Sequence, residues 1–176
     1  MRKNAVGLAS LVVLLMSLSG TAYAQYNNTR SGTIATTPTS LISITTGDNN
    51  TAHGVYVLAQ TTTGSNNTAS GFASMRYNIS GSNNTATGYA SLTSNTTGSN
   101  NSAYGYASLY SNTTGSYNSA DGAYALERNT TGSYNTASGA YSLNENTTGS
   151  YNTATGYNSL RSNTTGLYNT ATGLRV

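Results

Sequence analysis

Reactive side chains are scarce in this chain, and their spacing assembles no catalytic set. His53 is the single histidine, the acids are Asp48, Asp121, Glu127 and Glu145, and cysteine is absent. A nucleophilic relay needs a histidine oriented by a carboxylate, and a structural zinc site needs four nitrogen or sulfur ligands. One histidine without a recurring acid supplies neither. Glu127 and Glu145 fall one position apart when the chain is aligned on its own repeat, and the other acids are scattered. Calcium-binding solenoid turns carry an aspartate in every copy, where this chain has Asn or Thr. The expectation is a protein with no enzymatic activity, no metal and no cofactor.

Amides and phenols are the recurring polar groups. Asn27, Asn49, Asn66, Asn78, Asn83, Asn95, Asn100, Asn112, Asn129, Asn146 and Asn163 each begin an Asn-x-Ser/Thr sequon. Asn78, Asn95, Asn112, Asn129, Asn146 and Asn163 recur at a fixed interval, so they are candidate N-glycosylation acceptors arranged as a stripe. The same Asn-Thr-Thr runs are also turn chemistry whose amides can stack as a ladder. Tyr117, Tyr134, Tyr151 and Tyr168 share one position of the repeat, while Tyr89, Tyr106 and Tyr157, with Tyr124 and Tyr141, share two adjacent ones. Rings at such spacing can stack on one another, seal an interface between chains, or meet sugars and mineral surfaces.

The element that must position these groups is the repeat itself. Gly47, Gly64, Gly81, Gly98, Gly115, Gly132, Gly149 and Gly166 follow one another with a constant period of 17, and a second glycine follows each by 7. A short period held without a slip is the signature of stacked repeats. With the first glycine as column 1, column 4 is Asn (Asn84, Asn101, Asn118), column 6 is Ala (Ala86, Ala103, Ala120), and column 12 is Leu92, Leu109, Leu126, Leu143 and Leu160. Side chains alternate along a strand, so columns 4, 6, 8, 10 and 12 would face inward if the rung were extended. Asn at column 15 and Gly at column 1 suit a corner with left-handed backbone. Each rung then reads as two short strands and two turns. The fold class is all-β, a parallel β-solenoid or β-roll of about eight rungs, roughly 40 Å long at strand spacing.

The flanks differ from the repeat. Residues 1–24 combine Arg2 and Lys3, an apolar run, and Ala22-Tyr23-Ala24 before Gln25, the pattern of a secretory signal. Residues 25–46 precede the first column-1 glycine, are rich in β-branched residues around Pro38, and read as an N-terminal cap or assembly strand outside the repeat. The solenoid spans 47–176. After signal removal, five arginines face four acids, a net charge of +1. That balance gives no electrostatic footprint for nucleic acid, and no later stretch is apolar enough for a membrane span.

One leucine and one alanine per rung is little apolar area against the backbone entropy of ordering the whole rung. The thin core predicts association with further copies, as a trimer or a head-to-tail fibre. The run Asn-Thr-Ala-Thr-Gly-Tyr at 84–89 and again at 152–157, followed by Ser-Leu and Asn-Thr-Thr-Gly, resembles the head repeats of YadA-like trimeric autotransporter adhesins and similar phage-type tail-fibre repeats. The resemblance covers 47–176 and implies a parallel β-roll, three chains side by side, and adhesion to a surface or matrix. This chain's rung is longer than that family's commonest head repeat. The expected function is that of a secreted structural or adhesive protein at the cell surface, with itself, glycans or extracellular surfaces as partners. The alternative is a ligand-binding solenoid such as an ice-binding protein, for which Thr85/Thr87, Thr153/Thr155 and Thr170/Thr172 supply Thr-x-Thr pairs.

Overall fold

A computed structural model describes residues 32–37 and 39–175. The expected signal segment 1–24, the sequon at Asn27, the start of the N-terminal segment and Pro38 lie outside the described residues. Among the described residues the strands are β1 Ile34–Ala35, β2 Thr51–His53, β3 Thr68–Ser70, β4 Thr85–Thr87, β5 Ser102–Tyr104, β6 Ser119–Asp121, β7 Thr136–Ser138, β8 Thr153–Thr155 and β9 Thr170–Thr172. They pair in sequence order as one parallel sheet. Register partners are always one full repeat apart, as in Ala86 with Ala103 and Ala103 with Ala120. The chain is an all-β parallel solenoid.

Each strand from β2 onward covers columns 5 to 7 and no more. Column 6 points inward and is alanine, so one methyl per rung meets the column-12 side chain across the interior. Ala52, Ala69, Ala86, Ala103, Ala120, Ala137 and Ala154 form one file, and Leu58, Met75, Leu92, Leu109, Leu126 and Leu143 form the other. Leu160, near the C-terminal end, is only partly buried.

The return half of the rung is not a second strand. Columns 3, 8, 10 and 12 lie in the left-handed region, as at Asn83 (φ 58°), Gly88 (φ 134°), Ala90 (φ 54°) and Leu92 (φ 51°). Pleat alternation requires continuous β dihedrals, and a left-handed residue resets it. Consequently Ser91 and Leu92, neighbours in sequence, are both fully buried. Ser74 and Ser91 hydroxyls meet at 2.9 Å in this second inward column. A leucine at φ near +50° is a strained backbone, costing on the order of 1–3 kcal/mol. Complete burial of its side chain returns about 1.5–3 kcal/mol, and its N–H still donates to the next rung, Leu92 to Ser108 at 2.9 Å.

The corner also differs from expectation. Neither the column-15 asparagine nor the column-1 glycine has positive φ. Glycine is required at column 1 by close approach: a Cβ on Gly98 would overlap the Gly115 carbonyl oxygen and the Asn95 side chain. The asparagine turns inward and is fully buried at Asn78, Asn95, Asn112, Asn129 and Asn146. Asn95 Nδ2 donates to Asn78 Oδ1 (2.7 Å) and to the Gly98 carbonyl (2.9 Å). Column 4 builds a second buried ladder, in which Asn84 Oδ1 accepts from Asn101 N (2.9 Å) while Asn101 Nδ2 donates to the Gly115 carbonyl (2.9 Å).

The described part of the N-terminal segment has the geometry of a rung and stacks on the first full repeat. Thr33, Ala35, Leu41 and Ile44 fall in columns 4, 6, 12 and 15, each one full repeat before its counterpart. Ile34 pairs with Thr51 and Ala35 with Ala52, and Leu41 repeats the left-handed, buried geometry of column 12 (φ 51°). Its departures sit where the ladders begin. Column 15 runs Ile44, Thr61, Asn78, so the polar ladder starts only at Asn78, and the buried Thr61 hydroxyl has no partner.

Two substitutions and one surface control separate these constraints. Gly98→Ala should lower stability by about 1–3 kcal/mol or abolish folding, because the clash is with backbone. Asn112→Ala removes its donations to Asn95 Oδ1 and the Gly115 carbonyl and the acceptor of Asn129 Nδ2. A loss of about 2–4 kcal/mol is expected. Exposed Thr97→Ala should stay within about 0.5 kcal/mol. Denaturant unfolding of the three variants measures all of this.

Candidate interaction surface

Outward columns run the length of the rod as continuous stripes. On the sheet face, column 5 is Thr or Ser in every strand from β2 to β9, whereas column 7 changes from His53 through Thr87 and Tyr104 to Asp121 and Thr155. His53 is exposed on β2. Among the described residues, no group of three or more His, Asp and Glu side chains is close enough to hold a metal ion.

Column 3 borders this face and changes character half-way. Asn49, Asn66, Asn83 and Asn100 give way to Tyr117, Tyr134, Tyr151 and Tyr168, all left-handed at φ 57° to 60°. Consecutive rings stack with centroids 4.8, 4.9 and 4.9 Å apart and planes within 13°. Their faces cover one another, and their edges and hydroxyls remain in water, with Tyr117 53% and Tyr168 72% exposed.

A second aromatic file follows the far edge. It runs Tyr56, Phe72, Tyr89, Tyr106, Tyr124, Tyr141, Tyr157, with centroids 4.9 to 6.1 Å apart. The rings come from column 9 at Phe72, Tyr89, Tyr106 and Tyr157, and from column 10 at Tyr56, Tyr124 and Tyr141. Where column 9 is aromatic at Phe72, Tyr89 and Tyr106, column 10 is Ala73, Ala90 and Ala107; where column 10 is Tyr124 and Tyr141, column 9 is Ala123 and Ala140. Each rung from Tyr56 to Tyr157 therefore contributes one ring to the file despite the shift in backbone position. Guanidinium groups cap two of the rings: Arg76 lies 5.1 Å from the Tyr56 centroid and 5.1 Å from Tyr77, and Arg161 lies 5.6 Å from Tyr141. Partial burial raises the Tyr124 phenol above its ordinary pKa of 10.0, helped by the neighbouring Tyr106 and Tyr141 and by Glu127.

The candidate glycan acceptors divide by column. At Asn78, Asn95, Asn112, Asn129 and Asn146 the side chain is enclosed, and Nδ2, the atom a glycan would occupy, is engaged in the ladder. Asn163 is half-buried and continues that ladder to Asn146 Oδ1 at 3.0 Å. In the folded rod the five enclosed amides are ladder rungs with no room for sugar. The described sequons that reach solvent are those of column 3, Asn49, Asn66, Asn83 and Asn100.

Among the described residues no helix is long and apolar enough to cross a membrane. The chain matches no protein-family profile, no curated protein and no solved structure.

Tyr89, Tyr106, Tyr117, Tyr124, Tyr134, Tyr141, Tyr151 and Tyr157 are brought together in two files. Phe72, Tyr56, Tyr110 and the two arginines escape a column-by-column reading. The reciprocal exchange of alanine and aromatic between columns 9 and 10 is the sequence signal that would have found the continuous file.

Titration provides a test. A Tyr124 pKa raised by folding contributes stability that is intact below about pH 10 and lost as pH rises through the folded-state value. Melting temperature by circular dichroism should be flat from neutral pH to about pH 9.5 and then fall, with a shallower fall in Tyr124→Phe.

Proposed function

We propose that this chain is a secreted, non-enzymatic structural and adhesive protein that associates with further copies of itself at the cell surface. The observation that carries the reading is the exposed file Tyr117, Tyr134, Tyr151 and Tyr168 beside an uncharged hydroxyl column, a long periodic stripe instead of a concave reaction site. Aromatic edges and hydroxyls repeated at strand spacing match a second identical stripe in register, with little charge to oppose contact. The signal-like segment 1–24 and the resemblance to adhesin head repeats point the same way. Glycans and extracellular matrices are the further partners such a stripe suits.

Asparagine already occupies column 3 in four rungs at the same backbone geometry. The quadruple substitution Tyr117→Asn, Tyr134→Asn, Tyr151→Asn and Tyr168→Asn therefore removes the stripe while keeping residues the rung accepts. Light scattering on the purified mature chain should give an assembly for the parent and a monomer for the variant, with unchanged circular dichroism. A parent that stays monomeric at every concentration overturns the reading.

A second reading rests on a separate observation, the Thr-Ala-Thr strands β4, β8 and β9, which place hydroxyls of columns 5 and 7 on the sheet face, interrupted between β4 and β8 by Tyr104 and Asp121. Such a face would bind ice. Thermal hysteresis of the purified protein decides it, and its absence at high concentration removes the idea.

A further inference from the structure

The frame of the repeat places the column-13 side chain of each rung against column 10 of the rung before. Thr93 donates to the Ala73 carbonyl (3.0 Å) and Asn144 to the Tyr124 carbonyl (3.0 Å) in this relation. Arg76 over Tyr56 and Arg161 over Tyr141 obey it too. Where column 10 is tyrosine and column 13 of the next rung is arginine, a guanidinium lies on the ring.

The middle of the rod breaks this arrangement in two ways. Opposite Tyr124 the column-13 residue is Asn144, too short to cover the ring. Its Nδ2 instead holds the Glu127 carboxylate at 2.8 Å. Column 10 of the two preceding rungs is alanine, so the wall drops at Ala90 and Ala107. A recess of about 260 Å³ opens there, lined by Tyr89, Tyr106, Tyr110, Tyr124 and Glu127 above the two alanines. That volume is below the roughly 300–1,000 Å³ usual for drug-sized ligands and suits one small head group.

We infer that this recess is a binding site for a guanidinium, the head group of an arginine side chain in a peptide. The chain shows the pairing twice internally, at Arg76 and Arg161, and leaves out the cation only here among its column-10 tyrosines. The recess supplies phenol rings, of which Tyr110 stands outside the ring-on-ring packing that engages Tyr89, Tyr106 and Tyr124, and adds a carboxylate held by Asn144. Ring quadrupoles attract a cation within about 6 Å, and a carboxylate takes the planar guanidinium through paired hydrogen bonds. A neutral side chain of the same shape gains neither. This site lies on the opposite edge from the column-3 tyrosine stripe and does not depend on self-association.

The test uses N-acetyl-arginine amide as probe and N-acetyl-citrulline amide as its uncharged isostere, titrated into the isotopically labelled mature protein. Saturable shifts of the Tyr89, Tyr106, Tyr110 and Tyr124 ring signals with the arginine probe are expected. Citrulline should produce none. Glu127→Gln should weaken binding roughly five-fold or more, the loss of one partly screened charge pair with its hydrogen bonds. Asn144→Arg should abolish it by placing the chain's own guanidinium over Tyr124, and circular dichroism on both variants verifies the fold. Equal shifts with citrulline, equal affinity in Glu127→Gln, or equal shifts at Tyr134 and Tyr151 would each overturn the proposal.

Discussion

The structure depends on buried amide groups that are satisfied from one rung to the next. A rung encloses two asparagines, and an enclosed amide without partners would cost more than a rung's small apolar core returns. Stacking resolves this because the donor of one asparagine faces the acceptor of its counterpart in the adjacent rung, and its second proton meets a glycine carbonyl. A lone rung has no such neighbour. The ladder is thus the reason that the repeat can fold only as a stack.

The ladders in turn set the backbone. Bringing the column-4 and column-15 amides inward around a single leucine requires tight changes of direction, which left-handed residues at columns 3, 8, 10 and 12 provide. Only column 8 is glycine. At columns 10 and 12, alanine, tyrosine and leucine accept the strained region because burial, inter-rung hydrogen bonds and ring stacking hold them there. Column-1 glycine serves a different purpose, leaving space for the carbonyl of the next rung. Identical letters in the repeat therefore answer to unlike physical demands.

With the interior fixed this way, most variation falls on outward stripes. Columns 2, 3, 7, 9, 10, 13 and 14 carry the aromatic and charged residues, each added without disturbing the ladder beneath. Two files of rings result, one bordering a hydroxyl face and one lined with arginines and a carboxylate. The first is an extended surface suited to association, and the second contains a local recess. A rod of this kind can carry several contacts along one scaffold.

The period, the β character of the rung, the inward alanine and leucine columns and the two tyrosine groups were legible in the sequence, since each repeats at one spacing and follows from propensity and polarity. Local reading could not show that Leu92 adopts a left-handed backbone, that Ser91 is buried beside it, or that the segment around Ala35 and Leu41 forms another rung despite losing the glycine and asparagine markers. Nor could it decide between a glycan-bearing and a ladder-forming Asn95, because a sequon and a turn use the same letters. These were settled by contacts between rungs. The energies that fix them, amide to amide and ring to ring, exist only once residues 17 or 20 apart in the chain are adjacent in space.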